Sequence, residues 1–380
     1  MTALRAREGI PVGAPALVGN EKKYVMDCLE TGWISSGPYV KGFEDAFADF
    51  CGVKHAVSCA SGTAALHLAL MALGVEAGDE VIVPTLTYVS TANAGVYCGA
   101  RPVFVDSEPE TWNLDPSLIE SRITNRTKGL IAVHLYGYPA DMDPILAVAR
   151  RHGLFVLEDA AQAHGAQYKG RRVGSLGDAA VFSFFGSKIL TTGEGGMVVT
   201  DDEALARRVR ELRGQGMDPS RRYWFPVVGY NYRMTNIAAA IGLAQVEKAA
   251  WHLERRRQVA AWYREELRNC PGVTWQSEKE WAVHAYWMFS VLLADSSIER
   301  DEAMVDLEKR GVETRPVFYP MHALPPYRDS VGADRYPVAE RIARCGLSLP
   351  TWGGLTRDEV SCVSRNLRAC LRKRKLVESS

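Results

Sequence analysis

The stretch Ala180-Val181-Phe182-Ser183-Phe184-Phe185-Gly186-Ser187-Lys188 decides how this chain is interpreted. Its first six residues are apolar apart from Ser183, and they predict a buried β-strand. Lys188 follows that strand and is itself followed by a glycine-rich turn, Thr192-Gly193-Glu194-Gly195-Gly196. A lysine in such a place can be desolvated, which lowers its pKa and makes its amine nucleophilic toward carbonyl groups. A lysine at a strand end can equally be an ordinary surface residue, so its neighbours in the fold must decide.

The length and composition indicate a globular protein of two domains. At 380 residues the chain exceeds what one hydrophobic core usually supports. Lysine plus arginine equals aspartate plus glutamate at 45 each, so the overall charge gives no indication of a nucleic-acid or membrane partner. The eight cysteines include no Cys-x-x-Cys pair, and the sequence has no run of eighteen apolar residues. We therefore expect a reduced, cytoplasmic protein with no zinc site and no membrane span.

Seven short apolar runs predict the strands of a mostly parallel sheet. They are separated by crossover segments, as expected for an α/β domain whose sheet is covered on both faces. One such segment, residues 63–73, places three leucines on one helical stripe. The predicted strands are residues 56–58, 81–83, 102–105, 130–133, 154–157, 180–183 and 197–199.

The second part of the chain predicts a smaller α+β domain. Residues 234–267 read as long helical material that links the two parts. Beyond this segment we expect two strands and two helices, over residues 285–293, 312–318, 298–310 and 356–372. The pattern change predicts a large α/β domain over residues 1–250 and a small domain over residues 251–380.

Ser61-Gly62-Thr63 lies between the first predicted strand and the helix that follows it. The N–H groups at a helix N-terminus point outward and favour anions, so this turn can cradle a phosphate. A serine beside a glycine is also a common helix N-cap, and the three residues alone do not separate the two roles.

Three further residues can be placed near the same edge of the sheet, because ligands bind beyond the carboxyl ends of parallel strands. Asp159 ends a predicted buried strand, where its carboxylate can pair with a protonated ring nitrogen or cap a following helix. Ser183 lies in the strand before Lys188 and is either a ligand contact or a small polar core residue. Tyr88 offers an aromatic ring. With the phosphate cradle and Lys188, these groups supply what pyridoxal phosphate needs from a protein.

Several motifs resemble those of the sugar aminotransferases related to the DegT, DnrJ and StrS proteins. The lysine segment, residues 183–188 and 192–196, resembles that of the family, and residues 61–66, 158–162 and 229–234 match other motifs. The resemblance covers nearly the whole chain and implies a fold-type I aminotransferase. A subgroup that aminates a GDP-linked 4-keto-6-deoxy sugar is similar over residues 213–219, 221–226 and 315–322.

The resemblance implies roles for the cofactor residues. In the family, the lysine matching Lys188 forms a Schiff base with pyridoxal phosphate and moves the proton during transamination. The matching aspartate, Asp159, pairs with the ring nitrogen, and Gln162 lies near the phenolic oxygen. The remaining cofactor contacts are Ser61, Gly62, Thr63 and Ser183 at the phosphate and Tyr88 against the ring. Asn231 corresponds to an asparagine that reaches the phosphate from a neighbouring subunit, which implies a homodimer with shared active sites.

The substrates implied are L-glutamate and a nucleotide-linked keto sugar, and the candidate sugar contacts are Trp33, Ser35, Arg222, Arg315 and His322. Each of these residues has an ordinary alternative, because arginines pair with surface carboxylates and tryptophans fill cores. A dTDP- or UDP-linked sugar and a non-catalytic regulator that binds the cofactor remain alternatives. Relatives with histidine in place of the lysine remove a hydroxyl, so Lys188 favours transamination over dehydration.

Overall fold

The computed structural model describes residues 9–218, 220–293, 299–329 and 334–377, with side chains described up to residue 371. Residues 1–8 and Ile298, at the start of one predicted helix, lie outside the described residues. Nine strands belong to the first part of the chain. They are β1 (His55–Cys59), β2 (Glu80–Pro84), β3 (Arg101–Val105), β4 (Thr127–Val133), β5 (Phe155–Asp159), β6 (Gln167–Tyr168), β7 (Arg171–Arg172), β8 (Ala179–Ser183) and β9 (Gly196–Thr200).

Seven of these strands form one sheet in the order β1-β9-β8-β5-β4-β2-β3. The pairs from β3 to β8 are parallel, whereas β9 runs antiparallel to both β8 and β1. Every residue of β2, β8 and β9 is buried, which explains why these strands appear as continuous apolar runs. The prediction of a mostly parallel seven-stranded sheet is confirmed, and each predicted run overlaps one of its strands, with Leu154 alone lying before the start of β5.

Helices accompany this sheet. They are α1 (Glu21–Thr31), α2 (Pro38–Cys51), α3 (Gly62–Ala72), α4 (Ser90–Tyr97), α5 (Met142–His152), α6 (Glu203–Arg213) and α7 (Asn236–Glu247). Helices α2 to α6 contact its strands, α7 packs on α2, and α1 packs on α7. α3 contacts β1, β5, β8 and β9, and all but three of its residues are buried. It is therefore a central helix, and its N-terminus lies at the end of the sheet where β5 and β8 finish.

The long helical segment is two helices. α7 ends at Glu247, and α8 (Ala249–Leu267) begins after Lys248, whose φ of −110° departs from helical geometry. The elements that follow are β10 (Thr274–Trp275), β11 (Ala282–Val283), β12 (Phe289–Leu292), α9 (Arg300–Glu308), β13 (Arg315–Pro316), α10 (Pro325–Arg328), α11 (Pro337–Cys345), β14 (Gly346–Leu349) and α12 (Arg357–Val377). β10-β12-β14-β13 form a second sheet, and β11 pairs with β6 of the first part.

Two apolar cores correspond to the two larger of the three sheets. The smaller core contains the second half of α8, β12, β14 and α12. Residues 10 and 12 are bonded to the second part of the chain. Ile10 forms a β-bridge with Val312, and the N–H of Thr351 donates to the carbonyl of Val12. The boundary at residue 250 stays a prediction, since α8 contributes to both cores.

The outer edge of β1 is covered by charged side chains. Arg213 donates to the carbonyl of Ser58, and Glu44 accepts from the Ser58 N–H at 2.9 Å. Arg213 and Glu44 also form an ion pair at 2.7 Å. Such pairing prevents another strand from adding to the edge. Arg213, which begins one of the subgroup motifs, therefore has a structural role.

Candidate active site

The ends of β5 and β8 and the N-terminus of α3 meet at one edge of the large sheet. Asp159 ends β5, Ser183 ends β8, and the two strands are neighbours. A Cβ on Gly62, the first residue of α3, would lie 2.7 Å from the Cβ of Ser183. Only glycine allows this close approach, so Gly62 brings the helix N-terminus against the strand that leads to Lys188.

Lys188 lies in the loop after β8, where its side chain is partly exposed and packed among other groups. Desolvation lowers the pKa of Lys188 to about 7, and the charges of Arg315 and Arg256 act in the same direction. Asp159 acts in the opposite direction and favours the charged amine. The sequence-based expectation of a desolvated lysine thus agrees with its surroundings.

Two residues far along the chain hold Lys188 in place. The indole ring of Trp287 lies 3.8 Å from Nζ of Lys188, measured to the ring centroid. The buried guanidinium of Arg256 donates to the carbonyl of Lys188 at 3.3 Å and to the carbonyl of Trp287 at 2.8 Å. The lysine loop is therefore tied to α8 and to the segment before β12.

The carboxylate of Asp159 is buried and has no ion-pair partner within hydrogen-bond distance in the described chain. Thr91 donates to its Oδ2 at 2.7 Å, and the Ala161 N–H donates to its Oδ1 at 3.2 Å. Burial raises the pKa of Asp159, while these two donors and Lys188 oppose that rise. No helix follows Asp159, so its alternative role as a helix cap does not apply, although it does bond to the turn.

Thr91 is itself held by a second hydroxyl. The oxygens of Thr87 and Thr91 lie 2.9 Å apart, and both residues are buried. Because the Thr91 proton is directed at Asp159, the remaining bond is made with Thr87 as donor. Thr87 precedes α4, and Thr91 lies in its first turn. Their hydroxyls form a hydrogen-bonded chain that favours the ionised form of Asp159.

Glu158, the neighbour of Asp159 on β5, points to the opposite face of the sheet. Its carboxylate accepts from the backbone N–H groups of Gly174, Leu176 and Gly177 at 2.7 to 2.9 Å. The Nε2 atom of His134 lies 3.0 Å away and is the donor, because Nδ1 accepts from Ala140. Burial alone would raise the pKa of Glu158, but these hydrogen bonds hold it below its usual value.

The N-terminus of α3 has the form of an anion cradle. The first N–H groups of a helix lack an intrahelical partner, and Gly62 and Thr63 occupy these positions. Ser61 is the N-cap, accepting from the Ala64 N–H at 3.1 Å, and Thr63 bonds to Ser90 at 2.8 Å. Both roles considered for Ser61-Gly62-Thr63 are compatible, since capping by Ser61 leaves the N–H groups of the next two residues available.

Aromatic rings form one wall of the site. Gln162 is fixed by the Tyr136 N–H, which donates to Oε1 at 2.7 Å. The ring of Tyr136 stacks on that of Phe318 at 5.2 Å, and Tyr88 lies 5.6 Å from the same Phe318 ring. Tyr88 is 55% exposed, so one side of its ring is available to a ligand.

Of the predicted sugar contacts, Arg315 and His322 lie on the site's small-domain side. Arg315 is exposed on β13, and its charge acts on Lys188. The ring of His322 is held by Thr85 at 2.7 Å and Glu340 at 3.2 Å, and it stacks on Tyr336. Both ring nitrogens of His322 are therefore already engaged, and its role as a sugar contact stays a prediction.

The other predicted contacts, Trp33, Ser35, Arg222 and Asn231, lie on exposed surface. Ser35 lines a cavity of about 830 Å³ beside β1, and Lys188 and Asp159 are not among its lining residues. Arg222 lies over the ring of Tyr223, which is itself 71% exposed. Within one chain these four residues are not brought to Lys188, and their roles stay predictions.

The sequence profile of the DegT/DnrJ/EryC1/StrS aminotransferase family matches residues 15–368. The chain belongs to that family. It is 55% identical over 357 residues to GDP-perosamine synthase of Caulobacter vibrioides, covering 93% of this chain and 96% of the relative. The family membership, the aminotransferase class and the fold expected from the motifs are thereby confirmed.

Solved structures of this family are similar throughout. A putative sugar aminotransferase of Streptococcus pneumoniae in its PMP form superposes with a TM-score of 0.93 at 28% identity, covering 98% of this chain and 100% of that one. DesI, solved in the presence of its TDP-sugar product, superposes with a TM-score of 0.90 at 35% identity, covering 100% of this chain and 97% of that one. The family aminotransferases therefore include proteins solved with a cofactor form and with a nucleotide sugar.

Sequence reasoning missed four residues that shape the site, namely Thr91, Arg256, Trp287 and the Glu158 partner His134. Thr87 and Thr91 are four residues apart, a spacing that could have suggested two hydroxyls on one side of a helical turn. Arg256 stands in a cluster of charged residues and gives no sign of burial. Trp287 carries no signal, because its contact with Lys188 joins residues 99 positions apart.

In the part of the chain that the structure describes, no group of three or more histidine, cysteine or acidic side chains is arranged to hold a metal. Within the same residues, no helix has the length and apolar character that crossing a membrane requires.

Proposed function

We propose that this protein transfers the amino group of L-glutamate to C4 of GDP-4-keto-6-deoxy-D-mannose, with pyridoxal phosphate as cofactor, giving GDP-perosamine and 2-oxoglutarate. The observation that carries this proposal is the meeting of Lys188, Asp159 and the N-terminus of α3 at one edge of the sheet. The 55% identity with a GDP-perosamine synthase supports the choice of substrate.

The residues fit pyridoxal phosphate. The cradle at Gly62, which a Cβ would fill, leaves room for a phosphate beside Thr63 and Ser183. The buried carboxylate of Asp159, with hydroxyl and amide donors but no cation bonded to it, suits a protonated ring nitrogen. Tyr88 offers an aromatic face, and Lys188 offers an amine. These groups would hold the phosphate, the nitrogen, the ring face and the aldehyde carbon respectively.

Bound pyridoxal phosphate supplies an aldehyde that takes up an amine and a ring that accepts electrons from the neighbouring carbon. Asp159 would hold a proton on the ring nitrogen of the cofactor, and the Thr91 hydroxyl orients the carboxylate and favours its ionised form. Lys188, with a pKa of about 7, is neutral often enough at neutral pH to take a proton from carbon, and charged often enough to return one. Asp159 is buried, which limits the access of water to its carboxylate.

The substrate side of the proposal uses exposed residues. Arg315, on β13 near Lys188, supplies a positive charge for a carboxylate or phosphate, and His322 lies on the same side. In a homodimer with shared sites, Trp33, Ser35 and Arg222 would contact the sugar nucleotide in the site of a second copy of the chain, and Asn231 would reach the cofactor phosphate there. The exposed rings of Tyr223, Trp224 and Phe225 support such an assembly, because a large apolar patch usually marks an interface.

A second candidate substrate is a dTDP- or UDP-linked keto sugar. It is favoured by the likeness to DesI, which was solved with a TDP-sugar product. The regulator alternative is weaker, since both Lys188 and Asp159 are present and the site is built around them. A cytoplasmic location stays a prediction.

The purified protein with pyridoxal phosphate and L-glutamate is tested on the GDP- and dTDP-linked 4-keto-6-deoxy sugars in parallel. Mass spectrometry should show conversion of the GDP sugar to an amino sugar, with 2-oxoglutarate released in equal amount. Lys188→Ala serves as the matched control and should give neither product. Turnover of the dTDP sugar with the GDP sugar unchanged would contradict the proposed substrate, and bleaching of the bound cofactor by glutamate would still separate an enzyme from a regulator.

A further inference from the structure

Trp287 is the direct partner of the Lys188 amine. The ring centroid lies 3.8 Å from Nζ, well inside the distance at which an ammonium is attracted to an aromatic face. Among the described residues, Nζ makes no hydrogen bond or ion pair. The indole ring is therefore the surface on which this amine rests, and Trp287 is almost fully buried.

The ring is fixed relative to the lysine loop. The indole Nε1–H donates to the carbonyl of Ser187 at 2.8 Å, the residue before Lys188. Arg256 bonds to the carbonyls of both Trp287 and Lys188. The indole stacks on Tyr136 with an interplanar angle of 16° and centroids 6.0 Å apart. Three contacts thus hold one aromatic face at a constant distance from the amine.

The charged groups around Lys188 oppose one another, which leaves a role for the indole face of Trp287. Asp159 favours the ammonium, whereas Arg315 and Arg256 oppose it. Burial lowers the pKa of His164 well below its usual value, and the charges of Lys188 and Arg256 act in the same direction. The desolvated amine of Lys188 is therefore acted on by one carboxylate, that of Asp159, and by two guanidinium groups, those of Arg315 and Arg256. Such an amine would be driven out of position when charged, unless another group attracted it.

We propose that Trp287 is a positioning residue for Lys188: its indole face holds the amine by a cation–π contact whenever the lysine is not covalently joined to the cofactor. This rests on the proposed function, in which Lys188 alternates between a bound and a free amine. The ring would keep the free amine at the site edge and stabilise its proton, which the amine would then return to the substrate.

The test varies the ring's electrostatics without changing its volume. Tryptophans carrying an increasing number of fluorine atoms are placed at position 287 alone, in the full-length chain without added cofactor. Trace labelling with acetic anhydride, followed by mass spectrometry of the peptide that contains Lys188, reports the neutral fraction of the amine across pH. Fluorine withdraws charge from the ring face, so the midpoint should move downward stepwise, by about half a unit to one unit over the series.

The same fluorinated series at Trp275, on β10 and packed against Phe289, is the matched control and should leave the Lys188 midpoint unchanged. Trp287→Phe keeps an aromatic face but lacks the Nε1–H, so it should shift the midpoint less than Trp287→Leu does. A midpoint that stays constant or rises along the 287 series overturns the proposal, as does an equal shift from Trp275. The labelling needs neither sugar nor glutamate, so a wrong substrate assignment cannot produce either result.

Discussion

Glu158 and Asp159 are consecutive buried carboxylates on β5, and they point to opposite faces of that strand, where their hydrogen-bond partners differ. Glu158 accepts hydrogen bonds from three backbone N–H groups and from His134. Among the described residues, Asp159 accepts only from Thr91 and the Ala161 N–H. The pKa of Glu158 is held below its usual value, whereas burial raises that of Asp159.

The difference separates a carboxylate whose acceptor sites are filled by the protein from one that can still accept bonds from a ligand. Glu158 has used its acceptor capacity to tie β5 to residues 174–177, and it has nothing left to offer a ligand. Asp159 faces the edge where Lys188 and α3 meet and lacks a bonded cation. A buried carboxylate left in this state is prepared for a positively charged group that arrives with the ligand.

The largest expected effect comes from the lysine on the Asp159 face. Lys188→Ala should reduce amino transfer by more than about a thousandfold, because proton transfer and attachment to the cofactor both use this amine. Turnover is measured by product mass spectrometry, and circular dichroism should show an unchanged fold. Lys41→Ala, at an exposed ion pair, should keep full activity. Retained turnover in Lys188→Ala would place the catalytic amine elsewhere.

Asp159→Asn should lower turnover by about a hundredfold to ten-thousandfold, since a neutral amide cannot keep a ring nitrogen protonated. Stability should change little, because the uncompensated buried charge is removed at the same time. Turnover and thermal unfolding are measured on the same preparation. A strong loss of stability with mild loss of activity would show that Asp159, like Glu158, mainly stabilises the fold.

Glu158→Gln should show the opposite pattern. One side-chain oxygen becomes an NH₂ group that faces backbone donors, so we expect a loss of about 3 kcal/mol in the free energy of unfolding. The folded fraction should keep most of its activity. Urea unfolding of the wild type and the variant measures the first, and initial rates normalised to folded protein measure the second. Unchanged stability would remove the structural half of the comparison.

The pH dependence of cofactor attachment reports on Lys188. Its pKa is lowered to about 7, so the rate of attachment to the cofactor-free protein should rise about tenfold per unit below that pH and level off above it. Asp159 favours the charged amine, so the midpoint in Asp159→Asn should lie lower than in the wild type. Stopped-flow absorbance follows the attachment. A midpoint that stays near the ordinary lysine value would contradict the desolvated site.

The smallest effect is expected at Thr91. Thr91→Val keeps the shape but removes the donor to Asp159, which should cost about 1 to 2 kcal/mol of carboxylate stabilisation and raise the pKa of Asp159 further. We expect about a tenfold weaker retention of the cofactor at acidic pH, measured by dialysis and absorbance. Thr91→Ser should restore retention. An equal loss in both variants would indicate a packing role for Thr91.

Much of the fold could be predicted, because a parallel strand that is buried on both faces has a continuous apolar sequence, and the crossover helices lie between such runs. The small-domain strands were harder. β12 is shorter than its predicted run, and β10, β11 and β14 lack a strong local pattern because their pairing is with distant segments. The places of Lys188 and Asp159 in the fold were predictable, since Asp159 ends one recognisable strand and Lys188 follows another.

The amino-acid sequence by itself determined where the strands of the large sheet lie along the chain. It also determined the places of Lys188, Asp159 and the glycine-containing turn before α3. Only the tertiary structure decided which of the two adjacent carboxylates, Glu158 or Asp159, has its acceptor sites filled by the protein. It also decided which aromatic ring contacts the amine of Lys188. Those outcomes depend on contacts between residues far apart in the chain, such as Thr91 with Asp159 and Trp287 with Lys188. Local propensity carries no information about such pairs, because burial and hydrogen-bond satisfaction are properties of the packed chain.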